Sequence, residues 1–343
     1  MNCLVLGGAG FLGSHICDAL AAAGHSVRIF DRFEAAKTNI AHLLTPENAA
    51  HPKPPAELVQ GDFGNASTVF EITRGIDVVY HLISTTLPKS SNDDMVFDVT
   101  SNVLPTLHLL DACRKNGVKK VIYASSGGTV YGVPTTTPIS ENHHTHPICS
   151  YGIHKITVEK YLHLYYSLFG LDYAVMRIAN PYGERQRTDG AQGAVAVFLG
   201  KMLRGETIEI WGDGSVVRDY LYVGDVADAA LALAAYSPGT DGEAARIFNI
   251  GGGHGLSLLQ VVHGLGRALG KDPEVRFSPA RAIDVPVNVL DISLAKKRLG
   301  WTPRTPFPEG LRKTVAAYAH TGGTAPIESA AHPGTPPAGG GGH

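Results

Sequence analysis

The sequence predicts an α/β protein: a doubly wound parallel sheet with helices on both faces, followed by a smaller C-terminal α/β lobe. Three observations carry this expectation. Short apolar runs alternate with helix-period segments from the first residues onward, a glycine-rich turn joins the first run to the first helix, and the alternation gives way to shorter, glycine-interrupted pieces after about Asn180.

Taken in order, Cys3 to Leu6 reads as a strand, Phe11 to Ala23 as a helix and Val27 to Phe30 as a second strand, which makes a βαβ unit. Leu12, Ile16, Leu20 and Ala23 share one helix face, and Gly24 stands where a C-terminal cap belongs. Between Phe33 and Pro55 the period is lost and Pro46, Pro52, Pro54 and Pro55 gather, so a long loop with one helical turn is expected. Glu57 to Val59, Asp77 to Leu82, Lys119 to Ala124 and Asp172 to Met176 read as further strands. The helical stretch from Asn92 to Asn116 contains Pro105, which predicts a kink near Asn102.

At 343 residues and 44% hydrophobic content, the chain can bury a sizeable core. Its 29 basic and 31 acidic residues nearly cancel, so no global field recruits nucleic acid or an anionic membrane, and a small-molecule partner is expected. Cys3, Cys17, Cys113 and Cys149 are scattered without C-x-x-C spacing, which argues against a disulfide framework and a zinc site and fits reduced thiols in the cytoplasm. No apolar run reaches membrane-spanning length.

The first turn, Gly7-Gly8-Ala9-Gly10-Phe11-Leu12-Gly13, places glycines Gly7, Gly10 and Gly13 between strand and helix. Missing side chains let backbone N–H groups and the helix N-terminus approach a diphosphate, and Gly13 lets helix and sheet pack closely. Asp31 ends the second strand, where a carboxylate can accept both hydroxyl hydrogens of an adenosine ribose. That favours NAD, although Arg32 beside it leaves NADP open. Asp62, after the third strand, is expected as a further adenine contact. The expected division is a Rossmann-type dinucleotide-binding domain over 1–179, a mainly substrate-binding lobe over 180–320 with the chain crossing between them, and a disordered tail over 321–343.

Tyr151-Gly152-Ile153-His154-Lys155 puts a phenol and an ammonium one helical turn apart on one face. Free tyrosine titrates near ~10, so it becomes a base near neutrality only beside cations, which Lys155 and an oxidised nicotinamide supply. His143, His144 and His146 read as a polar loop rather than a metal site, and Gly251 to Gly255 lacks the Lys-Ser or Lys-Thr of a phosphate loop. His81 is expected near the cofactor, at a strand end.

The run Val121-Ile122-Tyr123-Ala124-Ser125-Ser126-Gly127-Gly128-Thr129-Val130-Tyr131-Gly132, followed by Tyr151 and Lys155, resembles the active-site strand and helix of extended short-chain dehydrogenases/reductases, most of all the nucleotide-sugar 4-epimerases. The likeness continues through Arg177 to Gly183, Gly212-Asp213-Gly214, Arg218-Asp219-Tyr220, Phe248 to Gly251 and Leu299-Gly300-Trp301. It implies Tyr151 as general acid/base, Lys155 as its partner on the nicotinamide ribose, and NAD contacts from Phe11, Leu12, Phe63, Leu82, Ser84, Asn102 and Ala124. The family's serine falls on Gly127, so Ser126, with Thr129 second, takes its place against the reacting hydroxyl. Dehydratases of the family carry Asp-Glu before Val-Tyr-Gly, and decarboxylases resemble them in a Glu there. Gly128-Thr129 stands in that place here, and disfavours elimination.

The resemblance further implies a nucleotide-diphosphate sugar as substrate, contacted by Asn180, Gln192, Arg218 and Arg281. Asn288 falls where some 4-epimerases have a bulky tyrosine, which leaves room for a 2-acetamido group. A homodimer through the helices around Asn92 to Asn116 and Ser150 to Gly170 is implied as well. Two alternatives to a 4-epimerase stay open: another NAD-linked sugar-nucleotide enzyme, or a dinucleotide-sensing or scaffold protein without chemistry.

Overall fold

The computed structural model describes residues 1–32, 34–45, 55–190, 192–239, 241–279 and 285–319. The chain opens as β1 (Asn2–Leu6), α1 (Phe11–Ala22), β2 (Ser26–Asp31), β3 (Ala56–Gln60), α2 (Ala66–Ile72), β4 (Val78–His81), α3 (Met95–Asn116), β5 (Lys120–Ser126), α4 (Ser150–Phe169) and β6 (Asp172–Ile178). It continues as β7 (Asn180–Tyr182), α5 (Ala194–Arg204), β8 (Ile208–Trp211), β9 (Val217–Tyr222), α6 (Val223–Ala235) and β10 (Ile247–Ile250), then β11 (Gly255–Ser257), α7 (Leu258–Leu269), β12 (Val275–Ser278), β13 (Val287–Asn288), α8 (Ser293–Leu299) and α9 (Phe307–Ala319).

Seven strands form one parallel sheet in the order β10-β6-β5-β4-β1-β2-β3. A sheet covered on both faces needs apolar residues on both sides of each central strand, and successive side chains of β1 divide accordingly. Cys3 and Val5 join the core beneath α1 and α6 with Ile16, Leu20, Val226 and Leu233. Leu4 and Leu6 join the core beneath α2, α3 and α4 with Val69, Leu109, Leu110 and Leu162. The strand order reverses direction between β1 and β4, and ligands of such sheets bind in the crevice outside the carboxyl ends at that point.

Residues after Asn180 serve both lobes. Phe198, Leu199, Ile208, Ile210, Val261, Leu265, Leu311 and Val315 make a separate core for the small lobe, whereas α6 and β10 return to the large sheet, β10 pairing with β6.

In the long loop after β2 the described part is a 3-10 segment, Glu34–Leu43, and Pro46, Pro52 and Pro54 lie outside the described residues. Helix α3 starts at Met95, capped by the Asp94 carboxylate accepting from Phe97 N at 2.8 Å, and runs without interruption through Pro105. Burial of Asn102, Val103, Thr106, Leu109 and Leu110 on either side of the proline holds it as one helix. No helix among the described residues is long and apolar enough to cross a membrane.

Candidate active site

The turn between β1 and α1 is shaped by contacts that leave no room for side chains. Gly7 has φ +79° and donates its N–H to Phe30 O at 2.8 Å. A Cβ on Gly13 would lie 2.1 Å from Gly7 O and 2.6 Å from Gly8 Cα, so the helix can approach the strand only with glycine there. Gly10 caps α1 without a side-chain hydrogen bond, and the first turn has no acidic residue, so its backbone donors and positive end face the crevice. These features fit a dinucleotide diphosphate. Gly13→Ala is expected to abolish bound NAD, read by absorbance of the purified protein, and to lower the melting temperature, because backbone rather than a flexible side chain must move.

Asp31 closes β2 with its carboxylate fixed by backbone, Oδ2 accepting from Ala9 N at 3.1 Å and Oδ1 from Arg32 N at 2.7 Å. Asp62 follows the adjacent β3, its Oδ1 accepting from Gly64 N at 2.8 Å, and Gly61 N donates to Asp31 O. Both carboxylates thus stand at the carboxyl edge of the sheet. Phe63 is buried in the core with its ring 5.1 Å from that of His81.

A cleft of about 690 Å³ opens above the sheet between the lobes. Phe11, Leu12, Leu82, Ser84, Ala124, Ser126, Thr129, Tyr151 and Lys155 line its large-lobe wall, and Asn180, Gln192 and Arg218 its small-lobe wall. The Lys155 ammonium donates to Ala124 O at 2.9 Å and lies 4.8 Å from the Tyr123 ring and 5.3 Å from the Tyr151 ring. Burial pulls Lys155 down to about 7, against the upward pull of Asp98 and Glu159. Burial pushes the Tyr151 phenol up to about 12, while a hydrogen bond with Ser84 works the other way. The two groups are driven toward their neutral forms, so charge arriving in the cleft acts on both.

Gly127 has a physical reason to be glycine: its Cβ would meet Leu290 Cδ1 at 2.5 Å and Arg177 O at 3.0 Å. Ser126, at the end of β5, lines the cleft, and Thr129 Oγ1 is buried without a hydrogen-bond partner in the same wall. Asn180 Nδ2 donates to Asp219 O at 2.9 Å, and Arg218 Nη1 donates to Val217 O and Val285 O at 2.9 and 2.7 Å. Arg281 lies outside the described residues.

Asn102 and Asn288 are not among the residues that line the cleft. Asn102 is buried beneath the loop after β4, where its amide donates to Thr85 Oγ1 and Asp98 O and accepts from Thr85 N. Asn288 is buried on β13 and donates to Gly127 O at 3.3 Å. His81 is buried with its Nε2 2.9 Å from Thr106 Oγ1 and is pushed to about 3 by burial, then by Lys155 and His154, so it stays neutral. The Gly251–Gly255 turn gives its donors to the protein itself, Gly252 N and Gly253 N bonding the Asp219 carboxylate at 2.6 and 3.3 Å. The rings of His143, His144 and His146 stack in series at 4.1 and 4.8 Å, and no group of three His, Cys, Asp or Glu suited to a metal occurs among the described residues.

Sequence reasoning missed Gln186, Lys201, Trp211 and Tyr220 on the cleft wall, and Asp98 behind Tyr151. Asp98, Asn102 and Thr106 form a polar stripe at i, i+4, i+8 that leads onto the buried Leu109, Leu110 and Cys113, a signal present in the sequence.

Fold and site together define a dinucleotide-binding α/β enzyme whose cleft, above the carboxyl ends of the parallel sheet, brings Tyr151 and Lys155 side by side. The chain belongs to the NAD dependent epimerase/dehydratase family, which matches residues 3–251, and NAD is its cofactor. It is 37% identical to the UDP-glucose 4-epimerase of Mycolicibacterium smegmatis over 93% of this chain and 98% of that one. Among solved structures it is similar to UDP-glucose 4-epimerase from Thermotoga maritima, determined with UDP-glucose, at 36% identity and a TM-score of 0.82 over 94% of this chain and 99% of that one. It is also similar to UDP-glucuronic acid 4-epimerase from Bacillus cereus, in complex with UDP-glucuronic acid and NAD, at 28% identity and a TM-score of 0.82 over 94% of this chain and all of that one.

Proposed function

We propose that the protein inverts C4 of a nucleotide-diphosphate sugar, a UDP-hexose, UDP-N-acetylhexosamine or UDP-hexuronate, through a transient 4-keto sugar. The observation that carries this is the set of side chains between the end of β5 and the start of α4: Tyr151 and Lys155 stand together in the cleft as candidates for one acid/base pair, and Gly127, Gly128 and Thr129 add no carboxyl group beside them. Elimination needs a second acid to protonate a departing hydroxyl, whereas reversible oxidation at one carbon does not. The one carboxylate among the described lining residues, Glu209, belongs to β8 in the small lobe and accepts from Ser278 Oγ.

Bound NAD supplies the acceptor and donor for the C4 hydride. Tyr151 takes the proton of the 4-hydroxyl and returns it after the sugar has turned its other face. Lys155 holds positive charge beside the phenol, and the Ser126 or Thr129 hydroxyl orients the reacting oxygen. Arg218, with Arg281 and Asn180, keeps the diphosphate in place during rotation, since a guanidinium matches phosphate oxygens in pairs. The same proposal includes a homodimer in the cytoplasm. Val96, Phe97 and Leu104 of α3 and Ile153 and Leu164 of α4 leave an apolar face exposed for a second copy.

The test is incubation of the purified protein with UDP-glucose, UDP-N-acetylglucosamine and UDP-glucuronate without added cofactor, following the H4 coupling by NMR. Interconversion of axial and equatorial 4-hydroxyl forms with no net NADH is the expected result. Loss of CO₂ or of water from the sugar overturns the reading.

A further inference from the structure

We propose that Asp98 is a positioning residue for Tyr151, a role that rests on the acid/base reading of that tyrosine. Asp98 sits on α3 with no solvent exposure, and its carboxylate collects donors from three directions. Oδ2 accepts from Ser150 Oγ at 2.6 Å. Oδ1 accepts from the Thr86 hydroxyl and from Asn102 Nδ2 at 3.3 Å. His154 Nδ1 lies 2.9 and 3.0 Å from the two oxygens.

Each main partner touches Tyr151 from a different side. Ser150 precedes it in the chain. The His154 ring packs edge-on against the phenol ring, centroids 5.0 Å apart. Thr86 O accepts from the Ser84 hydroxyl at 3.2 Å, and Ser84 shares a hydrogen bond with the phenol. One buried anion therefore fixes the backbone before the tyrosine, the ring beside it and the loop that carries its hydroxyl partner. The short turn Ser90–Asn92 completes the seat, with Ser91 Oγ accepting from Tyr151 N at 3.0 Å and Asn92 Oδ1 from Ser150 N at 2.9 Å.

The anion is also electrostatically active. Burial works against the charge on Asp98, but the hydrogen bonds from Ser150, Thr86 and His154 outweigh it and hold the carboxyl below its ordinary range. Burial and Lys155 push His154 down to about 4, so it is a neutral donor and leaves the charge of Asp98 uncancelled. The titratable groups facing Tyr151 and Lys155 are His81 at the end of β4, Tyr123 on β5, Asp98 on α3, and Cys149, His154 and Glu159 before and along α4. Glu159 is paired with Arg177 at 2.7 Å, so Asp98 is the carboxylate in this set without a cationic contact. Its field makes both Tyr151 and Lys155 hold their protons more tightly.

The experiment uses NAD-loaded protein labelled with 3-fluorotyrosine, with the Tyr151 resonance assigned through Tyr151→Phe, and compares wild type with Asp98→Asn and Thr86→Val. In Asp98→Asn, kcat falls roughly tenfold at constant KM, and the rising limb of the kcat profile, together with the Tyr151 fluorine titration, moves toward lower pH. Thr86→Val keeps the charge and frees only the loop, so kcat falls several-fold while the profile stays in place. A folded Asp98→Asn protein with the wild-type profile and fluorine titration overturns the proposal. If that variant does not fold, wild-type kcat in Thr86→Val overturns it. Should wild type turn over none of the sugars while the fluorine titration still moves in Asp98→Asn, the functional reading fails and the positioning role stands.

Discussion

Tyr151→Phe is expected to lower kcat for C4 interconversion by about 10³-fold, with KM and the amount of bound NAD unchanged. The phenyl ring keeps its place against His154 and Lys155, so what is removed is one hydroxyl and its proton. Burial pushes the phenol up to about 12 in the protein without ligands, and in that state it holds its proton at neutral pH. It becomes a base only when positive charge gathers around it, from the Lys155 ammonium and an oxidised nicotinamide. The wild-type kcat therefore rises with pH as Tyr151 loses its proton. Steady-state rates over the pH range, measured beside the Phe variant, check this. A Phe variant with more than about a tenth of wild-type kcat moves the acid/base role to another group, Ser126 or Thr129 first.

The large sheet was legible because a parallel strand buried on both faces reads as an unbroken apolar run, and Leu4-Val5-Leu6 or Val121-Ile122 cannot be mistaken for a half-exposed helix. Gly7 and Gly13 were legible because a positive φ favours glycine at the first and contact with backbone restricts the second to it, and Tyr151 and Lys155 because four residues make one helical turn. What the sequence withheld are relations between distant segments. Gly127 read as a missing serine, yet the place is filled by Leu290, from a loop that packs there only in the finished fold. Asp98 and His154 meet across 56 positions once α3 and α4 lie side by side. Strand β10 is four residues long and follows a detour through the small lobe, so no local period announces its return to the large sheet. Asn288 was singled out by the resemblance to 4-epimerases, and the hydrogen bond of its amide to Gly127 O, 161 positions away, exists only in the finished fold.

Lys155→Met is expected to separate stability from activity. Catalysis falls by about 10²-fold or more, since the cation beside Tyr151 is gone, but the protein without ligands becomes more stable near pH 7 by a few kcal/mol, on the order of 3. Lys155 is 2% exposed, and burial lowers it from an ordinary 10.5 to about 7 despite Asp98 and Glu159. Between those two values the unfolded chain binds a proton that the folded chain does not, so folding is penalised. The penalty is full at and below about pH 7 and disappears as pH rises toward 10.5, where neither state binds the proton. Methionine has similar length and no charge, so it escapes this penalty and can fill the same space against Tyr123. Urea unfolding of both proteins near pH 7 and near pH 9.5 gives the comparison. The advantage of the Met variant should be large at the lower pH and shrink at the higher one. Equal stabilities at neutral pH would mean that Asp98, Glu159 and the Ala124 carbonyl already compensate the buried ammonium in full. In that case the lysine stands ready as a cation before any ligand arrives, and the unaided phenol loses its proton at lower pH than its burial alone implies.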